Sequence, residues 1–521
     1  MQSTVRFKSF LLAISISLFS LGLSAQVITS PQIDSLVERT LKTFDVPGIA
    51  VAIIKDGKVI HAKGYGVRSL ASRKPVDENT LFGVASNSKA FTAAALAMLV
   101  DEKKITWDDK VIDHIPEFRM YDPYVTDAFT IRDLLTHRSG LGLGAGDLMF
   151  FPDGSDFGMK DILYNMRFLK QESGFRTKFD YDNNLYIVAG EVIKRVSGMS
   201  WGDFIEKKIL QPLEMKSTAA SFSRLKDTSN VIDAHAPVNG KVQPIDREWA
   251  EVANAAGGIY SSVTDMAKWV IMQMNDGKYA DGKTLFSKQE HDEMWSLQTI
   301  INPTIPNTYN THFGGYGLGW FLSDVKGYKQ VSHTGGLAGI VTQVTLFPEM
   351  KLGIIVFTNQ QSGAAFSAIT NTIKDSYLGM PYKDRVKQYH DGVVANESEA
   401  KKITDEIAAD IAKAQKATSK PDINNFIGTY RDKWLGDITI SLKNGKPWFD
   451  SKRSPKLTGE MLAYKGNTFV VRWTNRSMDA DAFVIFGLDS EGKGSTITMK
   501  AISPLTDFSY DFQHLNFERV K

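Results

Sequence analysis

Residues 30–380 carry strand patterns at both ends and helical patterns in between, and this arrangement constrains the fold more than any other feature. At the front, Ile49-Ala50-Val51-Ala52-Ile53-Ile54 is followed by a turn at Asp56-Gly57 and a second run over residues 59–67, which predicts a β-hairpin. At the back, residues 329–333, 340–347 and 352–357 are spaced like antiparallel neighbours. Early and late strands close most simply into one antiparallel sheet, with the helical stretch inserted as a second lobe. A helix with Ile33, Leu36, Val37 and Leu41 on one face precedes the sheet, and a helical pattern over 364–378 follows it. A cleft between two such lobes is a natural ligand site.

The composition changes over residues 384–421. Lys, Glu, Asp and Ala dominate there, which reads as a solvated helical linker. Strand-like alternation then resumes over 426–430, 437–442, 469–473, 483–486 and 496–502, with a tight hairpin at Asn444-Gly445. Residues 422–521 therefore form a separate all-β unit of barrel or sandwich type, and Trp448 and Trp473 read as core aromatics. No internal repeat is evident.

Residues 1–25 read as a secretory signal. Arg6 and Lys8 precede an uncharged apolar run over 10–23, then Ser24 and Ala25, so cleavage is expected before Gln26. The run is short for a bilayer span. The chain has a net charge of +2, and export would remove two positive charges and leave it neutral. A neutral chain without a basic block offers nothing to nucleic acid. The absence of cysteine excludes disulfides, thiolate metal sites and a cysteine nucleophile. The expectation is a periplasmic or secreted protein without a stable membrane anchor.

Three short motifs can carry chemistry. Ser86-Asn87-Ser88-Lys89 stands where an alanine-rich helix begins, so Ser86 lies near free N–H groups and Lys89 one turn away. A lysine held close and partly desolvated can take a hydroxyl proton. The same spacing recurs after Ser223, Ser323, Ser398 and Ser490, so alone it is equally a helix cap. Tyr181-Asp182-Asn183 is the one place among 17 tyrosines where Asn follows two residues later. It offers a phenol that can shuttle a proton and a carboxamide with both a donor and an acceptor for a substrate amide; alone it reads as a polar helix entry with a packed tyrosine. His333-Thr334-Gly335-Gly336 ends one predicted strand just before the next. It can pair with an extended substrate, although His-x-Gly also occurs at His312 and His390.

In this order the three motifs resemble the class C β-lactamase and penicillin-binding-protein family, which also holds D-amino-acid peptidases and esterases. The stretches Thr130 to Leu141 and Ala256 to Ser261 fit it as well, and residues 422–521 resemble a β-barrel appended to some members. The resemblance implies an α+β fold: an antiparallel sheet flanked by helices with a helical second lobe, plus a C-terminal all-β domain. The implied division is 1–25 signal, 26–383 hydrolase, 384–421 linker and 422–521 barrel. It implies Ser86 as acylated nucleophile, Lys89 and Tyr181 as general-base pair, and Asn183, His333, Thr334, Gly335 and Gly336 as substrate-binding residues. The N–H groups of Ser86 and Gly336 would form the oxyanion hole. The expected partner is a small-molecule or peptide substrate, with no cofactor and no metal. The alternative is a non-catalytic ligand- or peptidoglycan-binding protein that retains the fold. One departure matters: His333 stands where β-lactamases usually have lysine, and a neutral imidazole anchors a carboxylate less well. Esters and aminopeptidase-like substrates are therefore favoured over β-lactams. His137 is expected to be structural, partnered by Asp133 four residues back.

Overall fold

The computed structural model describes residues 27–520 apart from 248, 419 and 420. The signal-peptide reading of 1–25 lies outside the described residues. No described helix is long and apolar enough to cross a membrane.

The expected sheet is present. Its order runs Lys58–Gly66, Gly48–Lys55, Leu352–Thr358, Ile340–Phe347, Tyr328–Leu337, Phe321–Val325, Gly314–Tyr316 and Thr299–Ile300, every neighbour antiparallel. Ile53 pairs with Ile354, which joins the first strand to the last. Both faces of these central strands are covered. Ile49, Val51 and Ile53 pack with Val37 and Ile369 of the helices Ser30–Thr43 and Gly363–Tyr377, while Ala50, Ala52 and Ile54 face the helical lobe. Two covered faces explain a continuous apolar run where one face in water would alternate. The strands Thr299–Ile300, Gly314–Tyr316 and Phe321–Val325 are only two, three and five residues long, which hid them from sequence patterning.

The helix Ser88–Asp101 is apolar around nearly its whole circumference and runs through the centre of the lobe. It packs against the helix Asn183–Ser197 and the turn Asn254–Gly257. Its position fixes where Ser86 and Lys89 can be.

The charged segment is helical, one 32-residue helix over Arg385–Lys416. Composition did not reveal that both ends are anchored. Buried Arg385 pairs with Asp375 at 2.6 Å, and Ile407 and Ile411 pack on Val470 of the next domain. That domain is a closed eight-stranded barrel from Gly428–Asp432 to Asn516–Arg519, whose first and last strands pair. Asn444 and Gly445 both take positive φ, 53° and 76°, as a two-residue hairpin turn requires. Trp473 is buried in the barrel core, as expected, whereas Trp448 is only half-buried and lies outside the core, with Lys443 Nζ 4.6 Å from its ring centre. The barrel docks onto the helical lobe: Arg453 reaches Asp156 at 2.6 Å and Asp161 at 3.1 Å, and Asn165 donates to the carbonyl of Trp434 at 2.9 Å.

Candidate active site

Ser86 sits in a tight turn, Ala85–Asn87, that leads directly into the helix Ser88–Asp101. Ala85 has φ of 50°, a left-handed conformation that costs free energy for a residue with a side chain. Surrounding contacts hold it there. Asn87 donates to the Thr342 hydroxyl at 2.9 Å, and Thr342 donates to the carbonyl of Val84 at 2.9 Å. Ser88 is turned away and accepts the N–H of Ile259 at 3.1 Å, so of the two serines Ser86 alone borders the cleft.

Lys89 is fully buried. Its Nζ donates to Ser86 Oγ at 3.0 Å, to Asn183 Oδ1 at 2.7 Å and to the carbonyl of Ala256 at 2.9 Å. It also lies 4.7 Å from the ring centre of Tyr181 and 5.2 Å from that of Tyr186. Burial brings its pKa down to about 7, against the opposing pull of Asp147 and Asp182. The Tyr181 phenol is within hydrogen-bonding reach of Ser86, and burial holds its pKa well above the usual phenol value. Of the two, Lys89 is the group that can give up its proton near neutral pH.

Asp182 caps the helix Asn183–Ser197 by accepting the N–H of Leu185, which sets Asn183 at the first turn. Asn183 Nδ2 donates to Asp147 at 2.8 Å. The side chain thus borders the cleft with its oxygen already committed to Lys89.

The strand Tyr328–Leu337 splits the third motif by its pleat. Thr334 and Gly336 face the cleft. A Cβ on Gly336 would meet nothing within 4 Å, whereas one on Gly335 would lie 2.2 Å from the carbonyl oxygen of Val84. Gly335 therefore lets the strand approach the turn that carries Ser86. His333 points inward among Tyr316, Phe321 and Tyr181. Its Nδ1 is 2.6 Å from the carbonyl of Thr334 and so donates; Nε2 then accepts from the Tyr316 hydroxyl at 2.9 Å. Burial and the nearby Lys89 push its pKa down to about 3. The ring is neutral and walled off from the cleft.

His137 is buried, but its partner is not Asp133. That carboxylate is taken by Arg138, Arg176 and its own cap at Thr130. His137 instead accepts the N–H of Asp182 at 3.0 Å and stacks on Tyr181, ring centres 4.2 Å apart. It braces the tyrosine.

The cleft has a volume of about 410 Å3. Phe150, Phe151, Trp249 and Phe321 form one wall; Met478, Leu505, Phe508 and Tyr510 from the barrel form the other. No lysine, arginine or histidine is among the described residues lining it, and the charged side chains there are Asp479 and Asp507. The sequence leaves the C-terminal domain free to cover the cleft, but sequence reasoning missed Asp147 and the barrel residues that line it, none of which belongs to a motif.

A family model described as Beta-lactamase matches residues 33–378, and one described as a domain of unknown function (DUF3471) matches residues 412–519. The chain is similar to the unguisins hydrolase ungD of Aspergillus violaceofuscus, 30% identical over 373 residues, which covers 67% of this chain and 65% of that protein. It is also similar to protein flp of Staphylococcus aureus, 27% identical over 335 residues, covering 64% and 63%. The chain thus spans just under two thirds of the length of these relatives. Among solved structures, the octameric penicillin-binding protein homologue from Pyrococcus abyssi shares the fold, with a TM-score of 0.60 at 22% identity over 94% of this chain and 100% of that one.

Proposed function

The chain belongs to the beta-lactamase family, a family of serine hydrolases, and we propose that Ser86 takes the acyl group of an amide or ester substrate. The observation that carries this reading is the buried Lys89, 3.0 Å from Ser86 Oγ with its pKa lowered to about 7. Burying an ammonium is costly, and a purely binding protein gains nothing from keeping one beside a hydroxyl. In the proposed reaction Lys89 takes the Ser86 proton as Oγ attacks the carbonyl carbon. The N–H groups of Ser86 and Gly336 receive the oxyanion. The bond to the leaving group breaks, and that group collects the proton from Lys89 by way of the Tyr181 phenol. Water then attacks the acyl carbon as its proton passes through the Tyr181 phenol to Lys89, the bond from that carbon to Ser86 Oγ breaks, Lys89 returns the proton to Oγ, and the acid leaves.

The lining supports a substrate without a free carboxylate near the scissile bond, because among the described residues no lysine, arginine or histidine lines the cleft and two aspartates do. The aromatic walls favour an apolar acyl or leaving group. The similarity to a protein named an unguisins hydrolase agrees with a hydrolytic reaction. We also propose export to the periplasm or beyond the cell; N-terminal sequencing of the mature protein should begin near Gln26, and an intact Met1 would refute it.

Intact-protein mass spectrometry after exposure to a fluorophosphonate, a p-nitrophenyl ester and a β-lactam tests the chemistry. The expected result is one covalent adduct on Ser86 from the first two and a weaker one from the β-lactam. No adduct from any probe would return the protein to the binding class.

A further inference from the structure

The barrel domain reaches the candidate site through the loop at residues 505–511. Phe508 stands edge-on to Tyr181, ring centres 5.9 Å apart. Asp511 accepts the N–H groups of Gly146 at 2.7 Å and Leu148 at 3.1 Å, which pins the turn that carries Asp147. Between them, buried Ser509 donates its hydroxyl to Asp147 Oδ2 at 2.9 Å. The same oxygen accepts from Asn183 Nδ2 at 2.8 Å, and Asn183 Oδ1 accepts from Lys89 at 2.7 Å. Four side chains thus form an unbroken path from the barrel to the base.

We propose that Ser509 is a positioning residue for Lys89, acting through Asp147 and Asn183, and that by this contact the C-terminal barrel is a working part of the hydrolase site. The inference rests on the reading of Lys89 as the base. Asp147 is fully buried, so its carboxylate form depends on donated hydrogen bonds and on the attraction of Lys89. Burial above all, with Asp511 and Asp182 nearby, holds its pKa well above the usual carboxylate value, and Asn183 and Ser509, both donating to Oδ2, oppose that rise. With the carboxylate intact, Asn183 must turn its NH2 to Asp147 and its carbonyl oxygen to Lys89. A proton on Oδ2, where Ser509 donates, would turn that oxygen into a donor toward Asn183, and that orientation would no longer be enforced. Lys89 faces Asp147 and Asp182 as acids, with Tyr181, Tyr186, His137 and His333 around it. Losing the Asp147 charge removes the larger attraction that favours the ammonium.

The test is the pH dependence of p-nitrophenyl ester acylation in the full-length protein. Ser509→Ala should move the acid limb to lower pH, because Lys89 loses its proton more readily, and should lower the plateau rate about tenfold through misalignment. Ser509→Thr, which keeps the hydroxyl, should keep the wild-type limb. In an Asp147→Asn background Ser509→Ala should shift nothing further, since the carboxylate it acts on is gone. An unmoved limb in Ser509→Ala, or an equal shift in the Asp147→Asn background, overturns the inference. A wild type that is never acylated on Ser86 overturns the hydrolase reading and this inference with it; acylation with an unmoved limb overturns this inference alone.

Discussion

Lys89 lies closer to the carboxamide oxygen of Asn183, 2.7 Å, than to the hydroxyl of Ser86, 3.0 Å. Asn183 therefore anchors the proposed base as well as bordering the cleft. Asn183→Ala should lower kcat about a hundredfold, the scale of a misplaced reacting group, with a smaller change in KM. Steady-state kinetics on one ester checks this; a change confined to KM would make Asn183 a substrate contact only.

Ser86→Ala should abolish covalent labelling, because Ser88 is turned toward Ile259 and cannot substitute. Lys89→Ala and Tyr181→Phe should fold and bind but lose ~10²–10⁴-fold in rate, the usual worth of proton transfer. The double variant should be little slower than the worse single one, since the groups act as a unit. Intact-mass labelling and single-turnover rates decide both points.

The acylation rate should rise with pH through about 7, as Lys89 becomes the free amine. Folding stability carries a linked signature. The unfolded lysine titrates near 10.5 and the folded one near 7, so between these values the unfolded state binds the extra proton. Wild-type stability then gains with rising pH, a term that Lys89→Met lacks. Chemical denaturation of both proteins should show wild type gaining on the variant across that window and a constant difference below it.

Adjacent glycines should behave oppositely. Gly335→Ala drives a methyl to 2.2 Å from the Val84 carbonyl and should cost about 1–3 kcal/mol or more, with loss of activity. Gly336→Ala meets nothing within 4 Å and should keep the melting temperature while weakening turnover of bulky substrates. Thermal melts beside kinetics separate the two.

His333→Lys places an ammonium where a buried neutral imidazole bridges Tyr316 and Thr334. An uncompensated buried charge costs about 3–5 kcal/mol, so the variant should lose stability rather than gain affinity for carboxylate substrates. A variant that melts normally and prefers carboxylates would show that the side chain reaches the cleft.

Local order was legible in the sequence wherever short spacing decides it. Ser86 and Lys89 are one helical turn apart, Asn444-Gly445 accepts only a tight hairpin, and the apolar runs at both ends of the first domain pair as expected. The pleat also left a usable signal: of four consecutive strand residues, 333–336, only alternate ones can face one side. That rule separates Thr334 and Gly336 from His333 and Gly335, but not which pair faces the cleft.

What the amino-acid order determined by itself is the hydrogen-bonding menu and the periodicity of each segment, because both act over a few residues. Tertiary structure alone decided that Asp147 meets Ser509 across 362 residues, that Asp511 caps a turn in another domain, and that Lys89 and His333 lose their protons so readily. Those properties come from desolvation and from contacts between distant elements, and neither has a period or a spacing that a linear pattern can display.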